Sequence, residues 1–204
     1  MGRLITIEGL DGAGKTTLAS GLVRELRSRD VRAHLLREPG GVVLAERIRE
    51  VVKDPLLRVG ARAEALLYAG ARAQLVEEAV RPLLDSNAWV VLDRFLDSSL
   101  AYQGAGRGLG VDEVRAINLF GTGGLAPDRT LLLRVDPAVG RSRQAGRGQA
   151  PDRLEREADD FFATIATAYD EIAAAEPERV RVLDAALAPE AVLSAALAAV
   201  EDLL

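Results

Sequence analysis

Gly9-Leu10-Asp11-Gly12-Ala13-Gly14-Lys15-Thr16 sets out a glycine, four free positions and then Gly-Lys-Thr, the pattern of a phosphate-binding loop. Upstream of it, Leu4 to Glu8 is a short apolar run that reads as a strand. Downstream, from Lys15 to about Arg29, residues Leu18, Leu22, Val23 and Leu26 fall on one helical face. A strand that stops at glycines and resumes as a helix turns the loop N–H groups and the positive helix end toward one place. There the residues Gly9, Leu10, Asp11, Gly12, Ala13, Gly14, Lys15, Thr16 and Thr17 are expected to cradle the phosphates of ATP as phosphoryl donor. Lys15 would reach the β- and γ-phosphates, and the Thr16 hydroxyl would ligate Mg²⁺. Average residue usage produces this pattern by chance in on the order of one chain per hundred, and here the flanking context fits as well.

Outward from the loop, strands and helices alternate. Val31 to Leu36 reads as a strand ending in the turn signal Arg37-Glu38-Pro39-Gly40-Gly41. Leu44 to about Val52 and Ala61 to about Leu84 read as helices, the second long and unbroken. Trp89 to Leu92 is an apolar strand closed by Asp93-Arg94, followed by short helical pieces and a glycine-rich patch, Gly104 to Gly110. Thr130 to Val135 and Val180 to Leu183 complete five strands, and an Ala/Leu-rich helix runs from about Pro189. This order predicts an α/β fold, a five-stranded parallel sheet between two helical layers, in a single domain spanning 1–204. In such sheets ligands gather at the carboxyl ends of strands. Asp11 to Thr17, Arg37 with Glu38, and Asp93 with Arg94 all fall there. Asp93 would hold the metal through water and Arg94 would grip a transferring phosphate. Between about 140 and 155, Arg141, Arg143, Arg147 and Arg153 alternate with Gly140, Gly146 and Gly148, which predicts a mobile arginine-bearing lid that closes over ATP.

Composition closes off other classes. There is no cysteine, so neither disulfides nor thiolate metal sites arise, and one histidine, His34, lies in an apolar strand run suited to a structural role. A net charge of −5 speaks against broad nucleic-acid binding. No apolar run reaches the roughly 20 residues of a membrane span, and Glu8-Gly9 interrupts the first apolar stretch where a secretion signal would continue. The cytoplasm is the expected location. Lys15 and Lys53 are the chain's two lysines, arginine supplying the remaining positive charge.

Taken together, the motifs resemble thymidylate kinase, in the bacterial form whose catalytic arginines lie in the lid. The segments that carry the likeness are Glu8 to Thr17, Arg37-Glu38-Pro39-Gly40-Gly41, Leu44 to Arg49, Leu67 to Gln74, Asp93-Arg94-Phe95 through Ser98 to Gly104, and Arg147-Gly148 through Asp152-Arg153-Leu154-Glu155. They span nearly the whole chain in the expected order. The resemblance implies the fold of a phosphate-loop nucleoside monophosphate kinase, ATP and thymidine monophosphate as substrates, Mg²⁺, and a homodimer built through helix packing. It also implies residue roles. Asp11 lies near the acceptor sugar or helps organise magnesium, Arg37 and Arg94 bracket the acceptor phosphate, and Glu38 lies beside them. Arg72 donates to thymine O4, Tyr68 stacks on the ring, Ser98, Ser99 and Gln103 line the base or sugar side, and Tyr102 crowds the sugar 2′ position. Lys15, Arg94, Arg143, Arg147, Arg153 and Asp11 form the catalytic set. Tyr68 stands where the family more often has phenylalanine, and Ser99 where relatives often carry asparagine.

Two other readings stay open at this level: a small phosphate-loop kinase for a different acceptor, and a nucleotide-driven switch or partner-binding ATPase. The arginine-rich lid and the lack of an Asn-Lys-x-Asp base motif speak against the switch.

Overall fold

A computed structural model describes residues 1–146 and 150–204. Its sheet is wholly parallel, with β1 (Arg3–Gly9) at the centre and the order β2–β3–β1–β4–β5. The other strands are β2 (Ala33–Arg37), β3 (Trp89–Asp93), β4 (Arg129–Arg134) and β5 (Val180–Asp184). Alternation along the inner strands assigns each side chain to a face. Ile5, Ile7, Trp89, Val91, Leu131 and Leu133 point to one helical layer, made by α1 (Lys15–Ser28) and α9 (Pro189–Ala198). Leu4, Val90, Leu92 and Leu132 point to the opposite layer, which includes α8 (Asp159–Ala175). Both faces are therefore apolar, as a parallel sheet covered on two sides requires. His34 sits mid-strand at the sheet edge, opposite Val90.

The helix expected from Ala61 to about Leu84 is interrupted. It runs as α3 (Ala61–Leu75), a π-helical segment (Val76–Val80) and α4 (Arg81–Asp85). Pro82 has no N–H and its ring crowds the turn before it, so a wider turn placed just ahead of it carries the axis on. After α5 (Leu96–Ser99) the chain widens again into a second π-helical segment, Leu100–Gly106, where the sequence suggested only short helices and a glycine patch. Arg107 N–H reaches the Tyr102 carbonyl at 2.9 Å. The remaining helices are α2 (Val43–Lys53), α6 (Val111–Thr122) and α7 (Pro137–Ala145).

Candidate active site

At the carboxyl end of β1 the loop bends through left-handed glycines, Gly12 at φ 81° and Gly14 at φ 96°. A Cβ on Gly12 would lie 2.0 Å from the Gly140 carbonyl oxygen, so α7 packs backbone to backbone against the phosphate loop. Only glycine permits that approach. Lys15 is buried, and its Nζ donates to the Gly9 and Leu10 carbonyls at 3.1 and 2.8 Å, with Asp11 Oδ1 at 3.6 Å. Burial, and then the Arg94 charge, bring the Lys15 ammonium down to about 8. The Thr16 hydroxyl donates to Asp93 Oδ2 at 2.7 Å, joining the first turn of α1 to the end of β3. These oxygens of a hydroxyl and a carboxylate beside a phosphate loop would suit a hard cation such as Mg²⁺.

Next along the cavity stands Arg94. Its backbone is left-handed at φ 74°, pinned by its N–H to the Ile7 carbonyl at 3.0 Å. The guanidinium donates to Asp11 Oδ1 at 2.7 Å, Ser98 Oγ at 2.9 Å and the Tyr102 hydroxyl at 3.2 Å, and lies 5.0 Å from the Tyr102 ring centre. Burial opposes ionisation of Asp11, yet the Arg94 and Lys15 charges overcome it and hold the carboxyl well below the usual range. Behind Arg94 the buried Glu8 accepts from the Phe95 and Ser98 N–H groups, the Ser98 hydroxyl and the Tyr169 hydroxyl. That cluster fixes the turn from which Arg94 projects.

The far end of the cavity is the face of α3. Tyr68 lines it. Arg72 is almost wholly buried, its Nε and Nη2 on Glu38 Oε2 at 2.8 and 2.6 Å and its Nη2 on the Phe95 carbonyl at 2.9 Å. Nη1 donates to Ser99 Oγ at 2.9 Å and to Asn118 Oδ1. Four hydrogen bonds and the Glu38 ion pair thus hold this guanidinium. Gln103 is buried on the cavity wall, its Nε2 on Glu64 Oε1 at 2.9 Å. One cavity of about 290 Å³ joins Lys15 and Thr16, through Arg94 and Tyr102, to Tyr68, Arg72 and Gln103.

Several expectations shift. Glu38 does not stand beside Arg37. Successive residues of an extended chain point opposite ways, so Arg37 turns outward to Glu46 Oε1 at 2.8 Å while Glu38 turns inward to Arg72. Both still line the cavity. Burial pushes the Glu38 carboxyl up to about 7 against the pull of Arg72, and its Oε1 has no partner among the described residues. Arg143, expected among the phosphates, instead donates to the Ala185 carbonyl at 2.9 Å and lines a separate cavity of about 610 Å³ beside Thr17, Arg24 and Leu187. Arg153, likewise expected there, pairs with Glu64 Oε2 at 2.7 Å and donates to the Val52 carbonyl at 2.9 Å. A buried carboxylate that needs a counter-charge draws it away from the phosphate loop. Arg147 lies outside the described residues. Sequence reasoning missed Glu64 and Asn118. It also missed Arg49 and Lys53, which α2 presents to the cavity rim. The spacing Glu64, Tyr68, Arg72 along one helix face was the available signal.

Comparison with known proteins agrees with this arrangement. A family model described as thymidylate kinase matches residues 7–196. The chain is similar to a thymidylate kinase of Halorhodospira halophila, 46% identical over 205 residues covering 100% of this chain and 95% of the relative. It is also similar to thymidylate kinases of Deinococcus radiodurans, 49% identical over 184 residues (90% of this chain, 89% of the relative), and of Lactobacillus delbrueckii, 48% identical over 187 residues (90% and 88%).

Proposed function

The chain belongs to the thymidylate kinase family, and on that premise we propose that it transfers the γ-phosphoryl group of ATP to thymidine monophosphate, giving thymidine diphosphate and ADP in dTTP synthesis. The observation that carries the reading is the single cavity with a phosphate loop at one end and an aromatic ring beside a buried arginine at the other. In this reading the acceptor's phosphate meets Arg94 and its base meets Tyr68, both of which line the cavity.

The loop amides and Lys15 hold the donor phosphates, and Lys15 leaves the Gly9 and Leu10 carbonyls for the β- and γ-phosphate oxygens. Arg94 and Arg37 set the acceptor oxygen in line, and Asp11 orients Arg94. Tyr102, whose ring lies under Arg94, fills the space where a ribose 2′-hydroxyl would sit. Tyr68 offers a flat apolar face to the base, and a base carbonyl joins or replaces the Ser99 or Asn118 acceptor on Arg72. The larger side cavity beside Thr17 receives the donor's adenine end, with Arg143 at its wall. Thr16 and Asp93 would hold Mg²⁺, which when bound neutralises developing charge on the phosphoryl oxygens. Replacing Asp93 with asparagine should raise the Mg²⁺ concentration for half-maximal velocity about tenfold while the KM for thymidine monophosphate stays put. A titration of velocity against Mg²⁺ that superimposes on wild type would remove Asp93 from the metal site.

No helix among the described residues is long and apolar enough to cross a membrane, and we place the protein in the cytoplasm. A homodimer is supported by apolar side chains left exposed where α3 and α6 pack together: Leu66 at 59% and Phe120 at 90% exposure.

The test is coupled ADP release with a panel of monophosphates. Thymidine monophosphate should exceed the uridine and cytidine compounds in kcat/KM by roughly a hundredfold. Equal use of the three would defeat the assignment.

A further inference from the structure

Glu64 opens the cavity face of α3, one turn before Tyr68 and two before Arg72, yet it is fully buried and does not line the cavity. Its Oε1 accepts from Gln103 Nε2 at 2.9 Å and from Arg107 Nε at 3.2 Å. Its Oε2 accepts from Arg107 Nη2 at 3.2 Å and forms an ion pair with Arg153 Nη1 at 2.7 Å. One carboxylate therefore serves a cavity-wall glutamine and two guanidinium ions. The second of these, Arg153, belongs to the C-terminal end of the arginine-bearing segment.

That end is fastened to the same wall at further points. Arg153 donates its Nε to the Val52 carbonyl at 2.9 Å and its backbone N–H to the Lys53 carbonyl at 3.3 Å. Lys53 pairs with Asp152 at 2.8 Å, and Arg107 reaches onward to Glu157 at 2.7 Å. Asp152, Leu154 and Glu155 meanwhile line the cavity. Between the base end of the cavity and this segment, the chain of polar contacts passes through Glu64: Gln103 on one carboxylate oxygen, Arg153 on the other.

We propose that Glu64 is a positioning residue that couples occupation of the base end of the acceptor cavity to docking of the 151–157 segment over it. The inference rests on reading the cavity as the acceptor site. An acceptor that engages Gln103 fixes the orientation of the Glu64 carboxylate, which then presents Oε2 to Arg153. Coupling of this kind is reciprocal, so docking of the segment strengthens acceptor binding by the same factor. Glutamine at position 64 keeps the shape but removes the charge, and its NH₂ would face arginine N–H groups, donor against donor.

Hydrogen exchange of the amides at 150–157 reads this directly. In the wild type, saturating thymidine monophosphate alone should slow their exchange. In Glu64→Gln, thymidine monophosphate should bind about tenfold more weakly. At a concentration that calorimetry shows to be saturating, it should leave those amides unprotected, with the KM for ATP unchanged. A purely structural Glu64 would lower the melting temperature of the variant yet keep the acceptor-induced protection, and that result would overturn the proposal. Should Glu64→Gln not fold, Gln103→Met answers the same question, since it leaves Glu64 paired to both arginines. It should keep the protection of the free protein and lose the increment due to the acceptor. Retention of the full increment would count against the coupling. If thymidine monophosphate fails to bind the wild type at all, the acceptor reading itself is wrong and the inference goes with it.

Discussion

Replacing Lys15 with alanine lowers kcat by roughly 10²–10³-fold while the melting temperature of the nucleotide-free protein holds steady or rises. The first half follows from where charge develops. In phosphoryl transfer the enzyme's work is positioning and electrostatic stabilisation, and a preorganised cation on the β- and γ-phosphate oxygens acts in a site from which water is excluded. The second half follows from linkage. Lys15 titrates at about 8 in the fold against 10.5 for the free side chain, so burial disfavours its charged form. Below pH 8 the folded protein must carry that unfavourable charge, and the penalty fades as pH rises from 8 toward 10.5. Alanine removes the penalty, against the loss of two hydrogen bonds to loop carbonyls. Steady-state kinetics and thermal melts at pH 7 check both halves. Turnover within threefold of wild type would take Lys15 out of the phosphate site, and a large drop in melting temperature would mean that the lysine holds the loop rather than the nucleotide.

What the sequence disclosed and what it hid divide along contact range. The phosphate loop, the five strands and their carboxyl-end residues were legible because each depends on neighbours within a few positions: the glycine spacing, the apolar runs, the helical periodicity. The Glu38–Arg72 pair joins positions 34 apart, and Arg153 reaches the Val52 carbonyl from 101 positions away. No local pattern encodes such partners. Arginines in a glycine-rich stretch look alike in sequence. Their fates differ because Arg153 lies beside a buried carboxylate while Arg143 lies beside a free carbonyl on the loop after β5. The wide turn before Pro82 was a signal overlooked, since proline inside a helical pattern predicts a disturbance at the preceding turn. The inward turn of Glu38 was also within reach. The same alternation that sends Arg37 outward at the end of β2 sends its neighbour in.

Arg72→Met should sharply reduce base discrimination and, unlike Lys15→Ala, unsettle the fold. The guanidinium is the partner of Glu38 and of three other acceptors, Ser99 Oγ, Asn118 Oδ1 and the Phe95 carbonyl. Its loss strands a buried carboxyl whose Oε1 already has no partner, at a cost of about 3–5 kcal/mol. Glu38 stands at about 7 in the fold against 4.5 for the free side chain, so the stability it contributes is complete below pH 4.5 and lost as pH climbs through 7. Removing the arginine removes the pull that keeps this value from going higher. The variant should therefore go on losing stability above pH 7, where the wild type has levelled off, and melts at pH 6 and pH 8.5 should show the gap between them widening. Adding Glu38→Gln to Arg72→Met should recover much of the melting temperature by deleting the stranded charge. It should not recover the preference for thymidine over cytidine monophosphate, which falls by roughly ten- to a hundredfold with the loss of the donor to the base carbonyl. Stability and recognition then separate in one pair of variants. An unchanged preference in the stabilised double variant would exclude Arg72 from base recognition and leave it as the clamp that holds Glu38, Ser99 and Asn118 together.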